Sequence, residues 1–216
     1  MGSLPPDRSR IATEHRNPRS ESLHTLDVRG CVDLINAENR AVLDAMDGAA
    51  AALTSLIEAG EPGFARGGRV IYLGAGTSGR LGVLDASEAP PTFQVEIGRV
   101  VGIIAGGDAA LTRSSESRED EPDGAADELE ALNLTADDTV VGLAAGGTTP
   151  YVLGGLALAK AIEPGLVTGL VCCTPIDKPP GTDHLIVLET GPEVVTGSTR
   201  MKAGTATKLA INTIST

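Results

Sequence analysis

Aromatic side chains are scarce in this sequence, which has two Tyr, two Phe and no Trp. A core of stacked rings is therefore excluded, and the interior must be built from Ala, Val, Leu and Ile. Apolar residues still make up 41% of the chain, which is enough to bury a sizeable core and argues against global disorder. A length of 216 residues suits one α/β domain, or one domain with an appendage.

Basic side chains are also few, with 17 Lys and Arg against 29 Asp and Glu, a formal net charge of −12. A nucleic-acid partner is not expected, because duplex binding needs a basic face and no run of Lys or Arg occurs. Arg8, Arg10 and Arg16 are scattered and predict a solvated tail. No apolar run reaches the roughly 18 residues of a membrane span, and Met1–Pro6 lacks the apolar core of a secretory signal.

Cysteine is limited to Cys31, Cys172 and Cys173, an odd number without metal-ligand spacing. These thiols are best suited to a reducing cytoplasm. The three histidines converge on no motif, so we predict neither a metal site nor a cofactor.

Residues 1–27 are polar and predict an arm, whereas residues 28–59 are helical in pattern and are followed by a helix-closing Gly60. Short apolar segments then alternate with helical patterns, and this alternation predicts a parallel sheet covered on both sides. The predicted strands cover residues 69–73, 100–105, 139–145, 166–172 and 185–188, and the predicted later helices residues 81–87, 124–132, 151–161 and 199–216. We therefore divide the chain into an N-terminal arm with helices, 1–60, and an α/β domain, 61–216.

The first candidate binding loop follows the first predicted strand and reads Gly74-Ala75-Gly76-Thr77-Ser78-Gly79-Arg80. It matches the G-x-G-x-x-G fingerprint of dinucleotide sites, between a strand and a helix. Its hydroxyls and its cation suit a terminal phosphate ester at least as well. The acidic residue that a dinucleotide site needs at the end of the second strand is missing. The alternative to any binding site is that this loop is only a tight structural turn.

Two further segments share this character. Gly146-Gly147-Thr148-Thr149-Pro150 follows a strand, and on a strand next to the first it could hold the same phosphate. The block from Glu193 to Ala206 places hydroxyls and two cations at a predicted helix start, which suits either an anion site or a capped helix.

Carboxylates are abundant, and the sequence pattern alone does not single out any of them as a catalytic acid or base. Asp85 and Glu88 lie three residues apart on one predicted helix, with Glu88 just before a break at Ala89-Pro90-Pro91. Residues 116–130 form an acidic run, which usually marks a solvated face.

Taken together, these blocks resemble the N-acetylmuramic acid 6-phosphate etherase family, whose members carry a sugar isomerase (SIS) domain. The resemblance rests on "YLGAGTSGRLGVLDASEAPPTF", "GLAAGGTTPYV" and "EVVTGSTRMKAGTATK", with "TEHRNP" and "LINAEN" matching the family's arm and first helices. It implies a three-layer α/β/α sandwich of the SIS type with a mostly parallel sheet and an N-terminal helical arm. It also implies a cytoplasmic, metal-free lyase, usually a homodimer, that splits N-acetylmuramic acid 6-phosphate into N-acetylglucosamine 6-phosphate and D-lactate.

The resemblance also assigns roles to individual residues. Glu88 corresponds to the acid that protonates the departing lactate, and Glu119 to the base at C2. The residues that correspond to substrate-binding positions are Gly76, Thr77, Ser78, Gly79, Arg80, Gly146, Gly147, Thr148, Thr149, Glu193, Ser198, Thr199 and Lys202.

Two departures from the family pattern affect what we expect. Many members have Ser-Gly-Arg-Thr where this chain has Gly146-Gly147-Thr148-Thr149, so one hydroxyl donor to the phosphate is lost. Members also continue into a further helical region, which we expect to be absent after Thr216. A non-catalytic SIS regulator that binds a sugar phosphate is therefore the second hypothesis, and a nucleotide-dependent oxidoreductase the third.

Overall fold

Five short parallel strands form a single sheet in the order β2-β1-β3-β4-β5 in the computed structural model, which describes residues 11–113 and 118–216. The strands are β1 (Val70–Gly74), β2 (Val100–Ile104), β3 (Thr139–Leu143), β4 (Val167–Cys172) and β5 (His184–Val187). The helices are α1 (Val28–Glu38), α2 (Ala41–Ala65), α3 (Gly76–Phe93), α4 (Ala109–Thr112), α5 (Ala126–Ala131), α6 (Pro150–Ile162) and α7 (Lys202–Ser215). Three single-turn 3₁₀ helices precede them, at Ala12–Glu14, Pro18–Ser20 and Leu23–Thr25.

Helices cover both faces of the sheet, which confirms the predicted three-layer α/β/α sandwich. One face carries α2, α3 and α7 over a core that includes Leu56, Tyr72 and Ile211. The opposite face carries α5 and α6 over a second core, built around Leu129 and Leu156. No helix in the described parts of the chain is long and apolar enough to cross a membrane.

The predicted helix end at Gly60 is wrong. Two helices occupy this stretch, and α2 continues through Gly60 and Pro62 to Ala65. A glycine inside a helix costs only about 1 kcal/mol, and here it allows close packing. A Cβ on Gly60 would lie 2.6 Å from the Thr139 hydroxyl oxygen, and one on Gly63 would lie 2.4 Å from the Asp137 carbonyl oxygen.

The predicted helix break before Pro90 is also wrong, because α3 contains both prolines and ends at Phe93. Proline lacks the N–H but keeps a helical φ, so the last turn survives. The helix ends where Gln94 takes a left-handed φ of 56° and donates its N–H to the Pro90 carbonyl.

Part of the predicted polar arm belongs to the interior. Ile11, Thr13 and Asn17 are buried, whereas the arm's Glu21 is exposed. The tail predicted around Arg8 and Arg10 lies outside the described residues, as does Glu116 of the acidic run.

Candidate active site

A cavity of about 460 Å³ opens at the carboxyl ends of β1 and β3. The chain leaves β1 towards β2 on one side and later returns to place β3 on the other side of β1. Ligands of open α/β sheets bind at such a switch point, because the loops diverge there. The loops after β1 and β3 line the cavity, and the loop after β2 does not.

The loop after β1 forms the first turn of α3. Gly76 has a φ of +51°, and no side chain caps the helix start at Ala75. Thr77 and Ser78 line the cavity, half-buried, in this uncapped turn, where backbone N–H groups favour an anion. Gly79 is buried, and a Cβ there would lie 2.7 Å from the Gly74 carbonyl oxygen, so the glycine lets α3 start directly against β1.

Arg80 lines the cavity but also holds the neighbouring loop. Its guanidinium donates to the carbonyls of Leu111 and Arg113, at 3.2 and 3.0 Å. The cation that the sequence offers to a phosphate is therefore a fixed part of the wall.

The loop after β3 presents Gly146, Thr148 and Thr149 to the same cavity. Thr149 occupies the N-cap position of α6 without a side-chain cap bond, and Pro150 fills the first helical position. Because β1 and β3 are paired in register, with Gly74 opposite Leu143, the two loops face each other across the cavity.

Glu119 lies at the cavity because the start of α6 holds it there. The N–H of Tyr151 in the first turn of α6 donates to the Glu119 carbonyl at 3.0 Å. The segment that follows packs closely on this helix, since a Cβ on Gly154 would lie 2.0 Å from the Pro122 carbonyl oxygen. Glu119 is half-buried at the cavity wall, so the acidic run is not solvated throughout.

Glu88 does not line this cavity. It lies eleven residues beyond Thr77 in the same helix, about 16 Å along the axis, and is exposed. Asp85, predicted on the same face, is instead buried and accepts a hydrogen bond from Asn212 of α7 at 2.7 Å. The two acids therefore differ in burial although they lie three residues apart.

The third block divides between the cavity and the interior. Thr199 lines the cavity, but Glu193 is fully buried and caps α7, accepting from the N–H groups of Lys202 and Ala203 at 3.1 and 2.9 Å. The Lys202 ammonium is also buried, 2.7 Å from the Glu38 carboxylate. The cap of this helix is therefore Glu193 and not a side chain of the Ser- and Thr-rich start, while Thr199 lies at the cavity.

The cavity thus brings together nine of the predicted residues: Gly76, Thr77, Ser78, Arg80, Glu119, Gly146, Thr148, Thr149 and Thr199. Six predicted residues are not among its lining: Gly79, Glu88, Gly147, Glu193, Ser198 and Lys202. Nine lining residues are not among the predicted site residues: Ile11, Glu14, Ala75, Asp120, Leu143, Ala144, Ala145, Pro150 and Gly197. Seven of them lie in or beside the predicted loops and strands, whereas Ile11 and Glu14 belong to the arm, which carried no chemical signal beyond its family resemblance. Among the described residues, no group of three His, Cys, Asp or Glu side chains could hold a metal ion.

Comparison with known proteins identifies the family. Residues 49–160 match the family model of the glucokinase regulatory protein N-terminal SIS domain. An N-acetylmuramic acid 6-phosphate etherase from Gloeobacter violaceus is 50% identical over 98% of this chain, and one from a Synechococcus strain 52% identical over 97%. The chain belongs to the N-acetylmuramic acid 6-phosphate etherase family. It spans 69% and 66% of the lengths of these two etherases.

Solved structures agree on the fold of this etherase family member. A putative phosphosugar isomerase involved in capsule formation, from Bacteroides fragilis, matches with a TM-score of 0.56 at 18% identity, covering 87% of each chain. A phosphoheptose isomerase from Francisella tularensis also matches with a TM-score of 0.56, at 15% identity, over 88% of this chain and 96% of its own. These structures therefore share the α/β/α fold, and the matching family model identifies the sandwich as the SIS type.

Proposed function

We propose that this chain is a lyase that cleaves the D-lactyl ether of N-acetylmuramic acid 6-phosphate, yielding N-acetylglucosamine 6-phosphate and D-lactate. The observation that carries the proposal is one cavity that combines two glycine- and hydroxyl-rich loops with Glu119. The identity of about one half with etherases over nearly the whole chain supports the choice of substrate.

The phosphate would bind at the uncapped first turn of α3. Thr77 and Ser78 would donate hydroxyl hydrogen bonds, and the backbone of residues 76–78 would supply N–H groups, because the Gly79 N–H already donates to the Ala75 carbonyl. Thr148 and Thr149 would contact the phosphate from the loop after β3. Neutral donors from both loops suit this acidic chain, because binding then depends on directed dipoles as well as on the Arg80 cation in the cavity wall.

The reaction would proceed by elimination and then hydration. The sugar ring opens to the aldehyde, which acidifies the proton on C2. Glu119 removes that proton, the C2–C3 double bond forms, and the C3–O bond breaks as Glu88 protonates the lactate oxygen. Water then adds across the double bond, its hydroxyl to C3 and its proton to C2. Positioned acid–base groups typically contribute 10²–10⁴-fold to such proton transfers.

We further propose that the active form is a homodimer in which Glu88 acts in the partner's cavity. Support comes from the exposure of Glu88 and its separation of about 16 Å from Thr77 along α3. Leu84, one turn before Glu88 on the same side of the helix, and Phe93 are both exposed, at 49% and 41%. They would provide apolar contact area beside the shared site.

Lactate release from N-acetylmuramic acid 6-phosphate tests the assignment. We expect Glu88→Gln and Glu119→Gln each to abolish release while leaving binding of N-acetylglucosamine 6-phosphate largely intact. Glu121→Gln is the matched control, since Glu121 is exposed, pairs with Arg118 at 3.0 Å and does not line the cavity. Near-normal release by either active-site variant would contradict the assignment.

Mixing the two inactive variants tests the shared site. If Glu88 acts across the dimer, each mixed dimer holds one site with both native glutamates and one site with neither. Statistical exchange of subunits would then restore about one quarter of the wild-type activity. If both glutamates act within one chain, the mixture stays inactive.

A non-catalytic regulator that binds a sugar phosphate and a nucleotide-dependent oxidoreductase both have less support. The match to the glucokinase regulatory protein model covers residues 49–160, whereas identity to etherases covers 98% of the chain, which favours the enzyme over a regulator. No relative reported above is an oxidoreductase. We also propose a cytoplasmic location, which suits the free thiols of Cys31, Cys172 and Cys173.

A further inference from the structure

The N-terminal arm forms part of the cavity wall. Ile11 is 8% exposed, and its side chain packs over the loop after β3, where a Cβ on Gly146 would lie 3.4 Å from Ile11 Cγ2. Asn17 anchors the arm from behind, donating to the Glu38 carboxylate at 2.6 Å and to the Pro192 carbonyl at 3.1 Å. A 3₁₀ turn, Ala12–Glu14, lies between these two anchors.

The last residue of that turn, Glu14, lines the cavity with its side chain beside the third block. Glu14 Oε2 would lie 3.0 Å from a Cβ on Gly197, so the carboxylate packs directly on the glycine. Across residues 11–113 and 118–216, no side chain or backbone group pairs with this half-buried carboxylate. The buried acids Glu38 and Asp138, by contrast, each pair with a cation.

A carboxylate in this position needs a hydrogen-bond donor from the ligand. A phosphate is excluded as its partner, because two anions in contact would repel each other. A sugar hydroxyl or an amide N–H would instead satisfy it, and such charge-assisted bonds are stronger than neutral ones.

We propose that Glu14 binds the sugar portion of the substrate, accepting hydrogen bonds from its hydroxyl or amide groups. The inference rests on the proposed function for the position of the phosphate at α3. The arm then contributes directly to recognition: the loops after β1 and β3 hold the phosphate, and Glu14 holds the sugar.

Glu14→Gln and Glu14→Ala test the proposal, with Glu21→Gln as the control. Glu21 belongs to the same arm but is exposed and outside the cavity. The probes are N-acetylglucosamine 6-phosphate and inorganic phosphate, measured by calorimetry. Loss of a hydrogen bond to a charged group corresponds to roughly a tenfold to hundredfold weaker affinity. We expect that loss for the sugar phosphate in Glu14→Ala, a smaller one in Glu14→Gln, and phosphate affinity unchanged or tighter.

The two probes separate recognition from folding. A purely structural role would weaken both probes together and lower the melting temperature, and that result would overturn the proposal, as would unchanged affinity for the sugar phosphate. Failure of this proposal can also be distinguished from failure of the proposed lyase reaction. A wild-type protein that binds the sugar phosphate but releases no lactate would contradict the lyase, while the Glu14 variants would still decide the role of the arm.

Discussion

The Lys202 ammonium lies 2.7 Å from the Glu38 carboxylate, and their side chains are only 3% and 7% exposed. The pair joins the first turn of α7 to the last turn of α1. Asn17 donates to the same carboxylate, so the arm is tied to both helices. Thr199, just before α7, lines the cavity, and the Gly204 N–H donates to its carbonyl at 2.8 Å. The ion pair therefore supports the cavity from behind.

Removing one member of this pair should be costly. We expect Lys202→Met to lower the free energy of unfolding by about 3–5 kcal/mol, because it leaves the Glu38 charge buried without its closest cation. The double variant Lys202→Met with Glu38→Met should lose less than the sum of the two single changes. Urea denaturation measures each value.

A surface pair provides the matched control for that experiment. Arg29 and Asp33 are 2.7 Å apart on α1 with side chains 82% and 56% exposed. Arg29→Met should cost no more than about 0.5 kcal/mol. A Lys202→Met variant no less stable than this control would show that the buried pair contributes nothing to stability.

Acid should destabilise the protein through its paired carboxyls. Burial, the largest single effect, raises the pKa of three carboxyls, but hydrogen bonds and the attraction of the partner cations together outweigh it and lower the pKa overall. These carboxyls, with their partners, are Glu38 with Lys202, Asp138 with Arg69, and Asp183 with Lys160. A carboxyl with a lowered folded-state pKa stabilises the fold above its unfolded pKa. We therefore expect stability to be constant near neutrality and to fall progressively below about pH 4.

Asp138→Asn isolates one of these contributions. Asp138 accepts from Arg69 Nη2 at 2.6 Å and from the Thr135 N–H at 2.8 Å, at the end of the sheet opposite the cavity. The variant should be less stable at pH 7 and should lose less on acidification than wild type, with KM unchanged. Equal slopes of stability against pH in the two proteins would contradict this assignment.

The sequence predicted the strands of the sheet well, but it did not predict the long-range contacts of individual polar side chains. Each predicted strand lies within two residues of an observed one, because strands buried on both faces leave short continuous apolar runs. The loops after β1 and β3 were recognisable for the same reason, since glycines and hydroxyls follow those runs directly. The buried ion pair of Lys202 could not be predicted, because its partner Glu38 is 164 residues away in the chain. Glu14 was missed because the arm has no periodic pattern to show that it folds onto the cavity.

Thiol reactivity should separate the three cysteines. Burial raises the pKa of Cys172 to about 11 and that of Cys173 to about 12, and both side chains are fully buried. Thiolate is the reactive form, so neither should react at pH 8, whereas Cys31 is only half-buried. Ellman's reagent should therefore titrate one thiol per native chain and three in denaturant. Rapid reaction of two or more thiols in the native protein would contradict the burial of Cys172 and Cys173.

The departure of the second loop from its family pattern can be reversed at one position. The atoms nearest to a Cβ on Gly146 would be Ile11 Cγ2 and Cδ1 and the Thr148 hydroxyl oxygen, all at 3.4 Å or more, so Gly146→Ser fits without strain and adds a hydroxyl at the cavity. One added hydrogen bond to a charged phosphate corresponds to roughly 1.5–3 kcal/mol, so inorganic phosphate should bind at least several-fold more tightly. Gly147→Ser is the control, because Gly147 has a φ of +73° and a Cβ there would lie 2.7 Å from Ile176 Cδ1. That variant should lose stability and gain no affinity. Unchanged phosphate affinity in a stable Gly146→Ser protein would mean that the phosphate does not approach the loop after β3.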